Sequence, residues 1–425
     1  MQLNDTAQLR RSLAAATAML LGGGQAAALE SAAPWDAEAR VQYYSEKDRV
    51  QIVEGVVGVT HQAAGGQSYG ASVVLDAMTG SSPNGAIATD SPQTFTRPSG
   101  SGSYETAAGQ TPLDDTFHDT RVGLDLSYGH GIGDNLHLNY ALQGSVEYDY
   151  RSFGASVGVD RDFNQRNTTL SFGLSLNFDT SEPVGGIPDP YGFMPAYPNE
   201  KDTIGVSDTK LVTDVQVGVT QLLSPRSLIR SNFVFGLDDG YINDPYKIVS
   251  VVDPVTGELV SDADRRYRYE NRPDSKARFA WYNAWQQMLR DNDVLRVSYR
   301  LYGDDWGTIS NTIDGFYRWQ MTDTVFFEPH LRWYQQTAAD FYRTSLVATD
   351  NPEHVSADYR LADMMTYTVG LTAGWDLNPT SELRLGLEYY LQQADPSDVI
   401  GVQAQQTLIE DTEAIMVRLG YGLQW

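Results

Sequence analysis

The chain has 425 residues, a net charge of −25 and no cysteine. The lack of cysteine excludes disulfides, thiolate metal sites and thiol nucleophiles, and the acidic balance argues against a nucleic-acid partner. Past the first thirty or so residues there is no apolar run of about 18, so the sequence also excludes a protein that crosses membranes with helices.

The first segment has the features of a secretory signal peptide. Arg10 and Arg11 precede an apolar stretch over residues 12–24, and Ala26 and Ala28 offer the small residues that cleavage requires. We therefore predict a signal peptide over residues 1–28 and a single domain over residues 29–425. The alternative is an amphipathic first helix of a cytosolic protein.

From there on, apolar and polar residues alternate along the chain. In residues 170–178, every second residue is Leu or Phe, and the residues between them are small or polar. Such a period of two indicates strands with one apolar and one polar face. The pattern predicts about sixteen strands, at residues 38–46, 50–60, 68–76, 119–131, 136–149, 153–163, 168–179, 208–222, 226–238, 276–290, 294–304, 309–320, 324–336, 363–376, 380–394 and 412–425.

The connections between these strands differ in length at the two ends of the sheet. Short turns rich in Asn, Asp, Pro and Gly lie at one end, and long connections near 77–118, 180–207, 239–275, 337–362 and 395–411 lie at the other. Short periplasmic turns and long extracellular loops are typical of outer-membrane barrels. We predict an all-β, transmembrane, antiparallel up-and-down barrel. Splitting the first strands at residues 46–48 gives sixteen; fourteen remains the alternative if that N-terminal hairpin lies outside the wall.

Aromatic residues occur near the predicted strand ends, where amphipathic rings favour the membrane–water interface. They predict two girdles, with Trp319, Trp375, Tyr421 and Trp425 at the short-turn end and Tyr148, Tyr150, Tyr302, Trp333 and Tyr389 at the long-loop end. The alternative is the ordinary core of a soluble β-protein.

The C-terminal sequence AIMVRLGYGLQW resembles the outer-membrane β-signal, an alternating strand that ends in an aromatic residue. The resemblance implies that the barrel assembly machinery recognises Tyr421, Leu423 and Trp425. Five further segments resemble an uncharacterised bacterial family, a domain of unknown function predicted to form outer-membrane barrels: LDAMTGSSPNGA (75–86), GYINDPYK (240–247), RYRYENRPDSKAR (266–278), YGDDWG (302–307) and FFEPHLRWYQQTAADFY (326–342). This resemblance implies an outer-membrane location, among lipid and lipopolysaccharide, and no particular activity.

The predicted inward face of the barrel is ionic. The candidate lumen residues that would set ion selectivity are Arg296, Arg300, Asp314, Arg318, Glu328, His330, Arg332, Arg384, Glu388 and Arg418. Charges that line a pore tune its selectivity through their local field. The alternative is a web of ion pairs that braces the wall, and the two roles are compatible.

Three loop segments allow more than one interpretation. In YGDDWG, turn chemistry is favoured for Asp304 and Asp305, with a divalent-cation site or an acidic catalytic pair as alternatives. The arginines of RRYRYENRP (265–273) fit contact with lipopolysaccharide phosphates or salt bridges to acidic loops equally well. The Gly- and Ser-rich loop at 80–112 fits either a disordered surface loop or an inward constriction.

Three functions remain open on these observations. The favoured one is a passive, porin-like channel for small polar solutes, without enzymatic activity, metal or cofactor. The second is a structural barrel that surrounds a periplasmic protein partner. The third is a surface hydrolase, motivated by Asp304 and Asp305 and by nearby histidines.

Overall fold

A computed structural model describes residues 35–63, 65–80, 83–98, 102–114, 117–290 and 293–425. The predicted signal peptide, Ser81 and Ser82 of the GSSPNGA segment, and residues 291–292 between the predicted strands 276–290 and 294–304 lie outside this range. Sixteen strands form one closed barrel. In chain order they are β1 (Trp35–Glu46), β2 (Gln51–Ala63), β3 (Gln67–Thr79), β4 (His118–Ile132), β5 (Leu136–Val146), β6 (Tyr150–Phe163), β7 (Thr168–Ser181), β8 (Asp208–Ser224), β9 (Ser227–Gly240), β10 (Ser275–Met288), β11 (Val294–Asp304), β12 (Ile309–Gln320), β13 (Val325–Gln336), β14 (Asp363–Asn378), β15 (Ser381–Asp395) and β16 (Thr412–Gln424).

Every strand pairs antiparallel with its neighbours in the chain, and β1 closes the barrel against β16. The closing register runs from Asp36 opposite Gln424 to Glu46 opposite Ala414. Closure leaves no free sheet edge, which a lipid environment requires because lipid offers backbone groups no hydrogen bonds. The prediction of sixteen strands is confirmed, and the N-terminal hairpin belongs to the wall, so the fourteen-strand alternative is wrong.

The outer face of the barrel is apolar. Large side chains at alternate strand positions are exposed, among them Leu142, Phe172 and Leu331. A continuous apolar exterior of this kind is what a lipid-facing barrel wall presents, whereas water-soluble surfaces expose only small apolar patches. The polar residues that alternate with them therefore point into the lumen.

The strand ends confirm the predicted loop asymmetry. At the inner end the connections are all short, such as 133–135, 164–167 and 225–226. At the outer end lie the long loops 80–117, 182–207, 241–274, 337–362 and 396–411, beside shorter ones at 47–50, 147–149 and 305–308. Within the described residues, none of the helices is long and apolar enough to cross a membrane.

Three of the long outer loops fold against one another, and we call the described parts of 80–117, 241–274 and 337–362 the outer cap. Ile248–Val252 pairs antiparallel with Tyr267–Tyr269 and parallel with Leu346–Val347. A short hairpin, Gln93–Thr96 with Ser103–Thr106, places Phe95 in an apolar cluster with Tyr267. These loops have a core of their own, built from contacts that are distant in sequence.

Two details of the sequence interpretation are wrong. The strand predicted over 136–149 ends at Val146. Asp149 lies in the short loop that follows at the outer end, where its side chain is buried. Tyr150 and Tyr302, assigned to the outer aromatic girdle, are also buried. Both occupy inward positions of their strands, so neither ring can face lipid.

Candidate functional site in the barrel lumen

The most connected group in the lumen centres on His330 of β13. Its Nε2 lies 2.9 Å from Asp314 Oδ1 on β12, and its Nδ1 lies 3.0 Å from Glu388 Oε1 on β15. The ring stacks on Phe316 at 4.1 Å between centroids. Because ionised carboxylates only accept hydrogen bonds, both ring nitrogens must donate, and this geometry fits an imidazolium ion.

Two arginines complete this group at its edges. Arg332 Nε donates to Asp314 Oδ2 at 2.7 Å, and Arg418 of β16 forms an ion pair with Glu388. Five of the ten predicted lumen residues therefore lie in one network that spans β12 to β16. The sequence predicted their shared inward face but not this network, since pairing between strands cannot be read from alternation alone.

A glycine makes the His330–Glu388 contact geometrically accessible. Gly370 of β14 lies in register between His330 on one side and Glu388 on the other. A Cβ added at Gly370 would lie 2.5 Å from Glu388 Cγ. The missing side chain lets the two neighbours reach each other along the wall instead of extending toward the barrel axis.

The same arrangement recurs elsewhere around the barrel. Arg278 of β10 reaches over Gly236 to Asp214, at 2.9 Å, and also contacts Asp238 at 3.0 Å. A neutral version joins Gln143 to Asn177 at 2.5 Å across Gly154. Sequence reasoning missed this role of glycine, although glycines at inward positions between polar neighbours were a visible signal.

The other predicted lumen residues lie close to this network. Arg318 is 3.6 Å from Glu382 and covers the Phe326 ring, while Arg384 also pairs with Glu382. The guanidinium of Arg296 lies 4.4 Å from the Phe316 centroid, and that of Arg300 lies 5.4 Å from the Tyr302 centroid. Glu328 is half-buried opposite Thr372.

A buried ionic core holds the outer cap together. Arg272 Nε lies 2.8 Å from Glu270 Oε1, and its Nη2 lies 2.9 Å from Asp358 Oδ2. Lys247 is fully buried, with its Nζ 4.0 Å from Asp358 Oδ1 and in contact with the Pro83 carbonyl oxygen. The family-like segments at 240–247 and 266–278 thus converge on residues 356–360 of another loop.

Arg360 and Asp244 extend this core, giving three cations and three carboxylates. Arg360 pairs with Asp358 and lies 3.3 Å from Asp244. Burial, together with Asp244 and Asp358, raises the pKa of Glu270 to about 7. Burial also lowers the pKa of Lys247. Burial alone would raise the pKa of Asp358, but Arg360, Lys247 and Arg272 hold it well below its usual range.

The cap contacts the barrel on several sides of its mouth. The guanidinium of Arg49, between β1 and β2, lies 5.8 Å from the Tyr359 ring centroid. Tyr246 donates to Asp149, between β5 and β6, at 2.5 Å. Gln336 of β13 donates to the Arg360 and Ala362 carbonyl oxygens at 2.9 and 2.8 Å. Strands 1, 6 and 13 are far apart around a ring of sixteen, so the cap extends across the outer opening.

The carboxylates of YGDDWG are engaged in their own turn. Asp304 accepts hydrogen bonds from the Trp306 and Thr308 amides at 3.2 and 2.9 Å and lies 3.3 Å from Lys276 Nζ. Asp305 accepts from the Ala277 amide at 3.0 Å.

A different group of carboxylates could hold a cation. In the described residues, Asp119, Glu147 and Asp149 each bring one oxygen to within 4.8 Å of the others. Oxygen ligands of this type suit Ca²⁺, although Asp149 already accepts the hydrogen bond from Tyr246. Nothing in the sequence marked these three carboxylates as a ligand set, because they come from a strand and a loop that are apart in the chain.

The arginines of RRYRYENRP serve different purposes. Arg272 belongs to the buried ionic core, and Arg268 lies over the rings of Tyr191 and Phe193, at 4.3 and 3.9 Å from their centroids. Arg265 remains largely exposed beside Asp262, at 3.6 Å. Salt bridging within the loops thus accounts for Arg272, and Arg265 also pairs with a loop carboxylate while most of its side chain stays exposed.

A closed antiparallel barrel of sixteen strands with an apolar exterior and a polar lumen is an outer-membrane-type β-barrel. The chain belongs to the family described as "Protein of unknown function (DUF3570)", whose family model matches residues 10–423. None of the curated proteins matches the chain in sequence.

Solved structures of similar fold include one described as a channel and two described as outer-membrane proteins. The CymD monoaromatic hydrocarbon channel is 9% identical, with 93% of this chain and 89% of that chain covered and a TM-score of 0.39. The outer membrane protein opdK from Pseudomonas aeruginosa is 8% identical, with 93% and 100% covered and a TM-score of 0.41. A bacterial polysaccharide outer membrane secretin is 8% identical, with 94% and 100% covered and a TM-score of 0.44. These likenesses concern the fold.

Proposed function

We propose that the protein is a passive outer-membrane channel for small polar solutes. The observation that carries the proposal is the way polar side chains are held in the lumen. Across Gly370, Gly236 and Gly154 they pair along the wall, so their charges are satisfied without filling the space around the axis. A barrel of about sixteen strands is wide enough to leave an aqueous channel when its interior is arranged in this way.

Exposure of inward residues supports a wet lumen. Asp125 of β4, Arg296 of β11 and Arg384 of β15 all occupy inward positions and are exposed. A charged group in the membrane region is tolerated only when water or a partner satisfies it. Water that reaches these side chains also provides a path for polar solutes.

The outer cap favours small solutes over large ones. Its contacts with Arg49, Asp149 and Gln336 carry it across the mouth, so a solute must pass between cap and wall. The turn hydrogen bonds of Asp304 and Asp305 favour a channel over a hydrolase, because both carboxylates are already committed to backbone amides.

A structural barrel that encloses a periplasmic partner is the second candidate. The observation in its favour is that the wall ion pairs, such as Arg278 with Asp214, would also stiffen a barrel without flow. Recovery of a stoichiometric partner protein with the purified barrel would support this candidate.

Conductance separates the two candidates. The folded, purified barrel in a planar lipid bilayer is expected to give stepwise ion currents, and the heat-unfolded protein serves as the control. Folded barrel that inserts without producing current contradicts the channel proposal.

A further inference from the structure

In the ion pairs of one side of the lumen, the two partners differ in how much of their side chain is exposed to water. On β1 and β12 to β16, the arginine of each pair is more exposed than the carboxylate that holds it. The exposed fractions of the side chains are 43% and 24% for Arg40 with Glu54, 36% and 10% for Arg332 with Asp314, 53% and 21% for Arg384 with Glu382, and 34% and 9% for Arg418 with Glu388. The carboxylates lie behind, toward the wall, so this wall presents positive charge to the lumen.

These arginines lie on three rows of the sheet at increasing distance from the inner end, and the row of Glu388 lies between the last two. Arg384 and Arg40 flank Gly420 in the same hydrogen-bonded row. Arg418 lies opposite Gly386, one inward position further out, and Arg332 lies in the row of Thr368 and Tyr390. Inward positions on one strand are spaced about 7 Å apart, so the four guanidinium groups climb from the inner end of the lumen toward its middle.

On the opposite wall, the exposed cationic partner of such a pair is Arg166, which lies in the turn at the inner end, at 41% exposure against 13% for Asp162, whereas the pairs further out are shielded. Lys210 with Asp179 and Arg278 with Asp214 are buried on both sides of the pair. Two inward carboxylates of the described strands, Glu38 and Asp125, are exposed. Asp125 lies on the far wall, on β4, and Glu38 occupies the inward position next to Arg40, where it is one exposed carboxylate beside four arginines. Positive charge therefore prevails along the wall formed by β12 to β16 and β1.

We propose that Arg40, Arg384, Arg418 and Arg332 form an arginine ladder that makes the lumen selective for small anions bearing carboxylate or phosphate groups. Guanidinium groups bind such anions through paired N–H donors. The carboxylate behind each arginine fixes its position and weakens its hold on a passing anion, so the anion can move from one arginine to the next. This inference rests on the proposed channel function.

The test measures the reversal potential of the full barrel in a planar bilayer under a potassium chloride gradient. The wild type is expected to pass chloride in preference to potassium, more strongly at low salt, because added salt screens the arginines. Each exposed unit charge at about 8 Å changes the local ion concentration about twofold in water. Because each arginine concentrates chloride and depletes potassium by that factor, the double variant Arg40→Gln/Arg384→Gln should lower the chloride-to-potassium permeability ratio about sixteenfold at low salt.

Arg151→Gln is the matched control, since it removes the same charge from the outward face of β6, where Arg151 pairs with Glu182 at 2.8 Å. This variant should leave the permeability ratio unchanged. Inorganic phosphate added to the bath should reduce the chloride current of the wild type more than that of the double variant. A barrel that conducts but prefers potassium, or whose ratio is unaffected by the double variant, overturns the ladder and leaves the channel intact. A barrel that carries no current overturns the channel itself.

Discussion

Arg272 Nη2 lies 2.9 Å from Asp358 Oδ2 although the residues are 86 positions apart in the chain, and both side chains are almost completely buried. This contact joins the β9–β10 loop to the β13–β14 loop. Lys247 and Arg360 approach the same carboxylate. Asp358 is therefore the residue through which the loops of the outer cap are held together.

Asp358→Asn should loosen the outer cap. The substitution removes one charge and leaves Lys247, Arg272 and Arg360 around a neutral amide, and breaking a buried ion pair from one side costs about 3–5 kcal/mol. Amide hydrogen exchange should accelerate in residues 241–274 and 337–362 and stay slow in the barrel strands. The channel current should rise, because the cap covers the mouth.

Glu353→Gln provides the control, since this carboxylate lies in the same loop and its side chain is 89% exposed. It should change neither the exchange rates nor the current. An Asp358→Asn protein with wild-type exchange in both loops would contradict the role assigned to the ionic core.

The outer cap should be more stable near pH 4.5 than near pH 7. The pKa of Glu270 is raised from its ordinary 4.5 to about 7, so the folded cap holds this proton more tightly than the unfolded loop does. The resulting stabilisation is present at low pH and is lost as the pH rises from about 4.5 to about 7. Protease cleavage within the cap should increase over that interval, and Glu270→Gln should flatten the increase. Cleavage that decreases as the pH rises would contradict the predicted direction of the change in cap stability.

Gly370→Ala should weaken the barrel wall. The new Cβ would lie 2.5 Å from Glu388 Cγ, and it must displace the carboxylate from His330. Overpacking of this kind costs about 1–3 kcal/mol. The folded barrel should convert to the slower-migrating unfolded form at a lower temperature in detergent gels.

Gly422→Ala is the control for this substitution, because it also occupies an inward position and a Cβ there meets nothing within 4 Å. It should keep the wild-type unfolding temperature. Equal losses in the two variants would indicate a general effect of replacing glycine rather than the loss of the His330–Glu388 contact.

Trp425→Ala should lower the amount of assembled barrel in the membrane. Trp425 exchanges two backbone hydrogen bonds with Trp35, at 2.7 and 2.9 Å, and the rings stack at 6.2 Å. The residue therefore sits at the seam where β16 meets β1, as the last residue of the proposed assembly signal. Trp319→Ala removes an exposed ring from the same end of the barrel without touching the seam, and it should assemble normally. Equal yields of the two variants would count against the signal.

The strands were readable from sequence because a half-buried strand repeats every two residues. The predicted segments 294–304 and 309–320 match β11 and β12 to the residue. The outer cap was not readable, since its contacts, such as Arg272 with Asp358, join loops that share no periodic pattern. In the lumen, alternation identified Arg332, Arg384 and Arg418 as inward. Alternation missed Arg40, because the pattern of its strand is weaker. It also could not show whether the arginine or the carboxylate of an ion pair is the more exposed to water.

Single-cysteine labelling tests the water-filled lumen most directly, because the chain has no cysteine of its own. Ser127 of β4 is an exposed inward residue, and its neighbour Leu126 is an exposed outward one. In the bilayer-embedded protein, Ser127→Cys should react readily with a charged, membrane-impermeant thiol reagent, since the reactive thiolate forms in water. Leu126→Cys should stay unmodified behind lipid. An unreactive Ser127→Cys in a folded barrel would show a lumen closed to water and would contradict the channel.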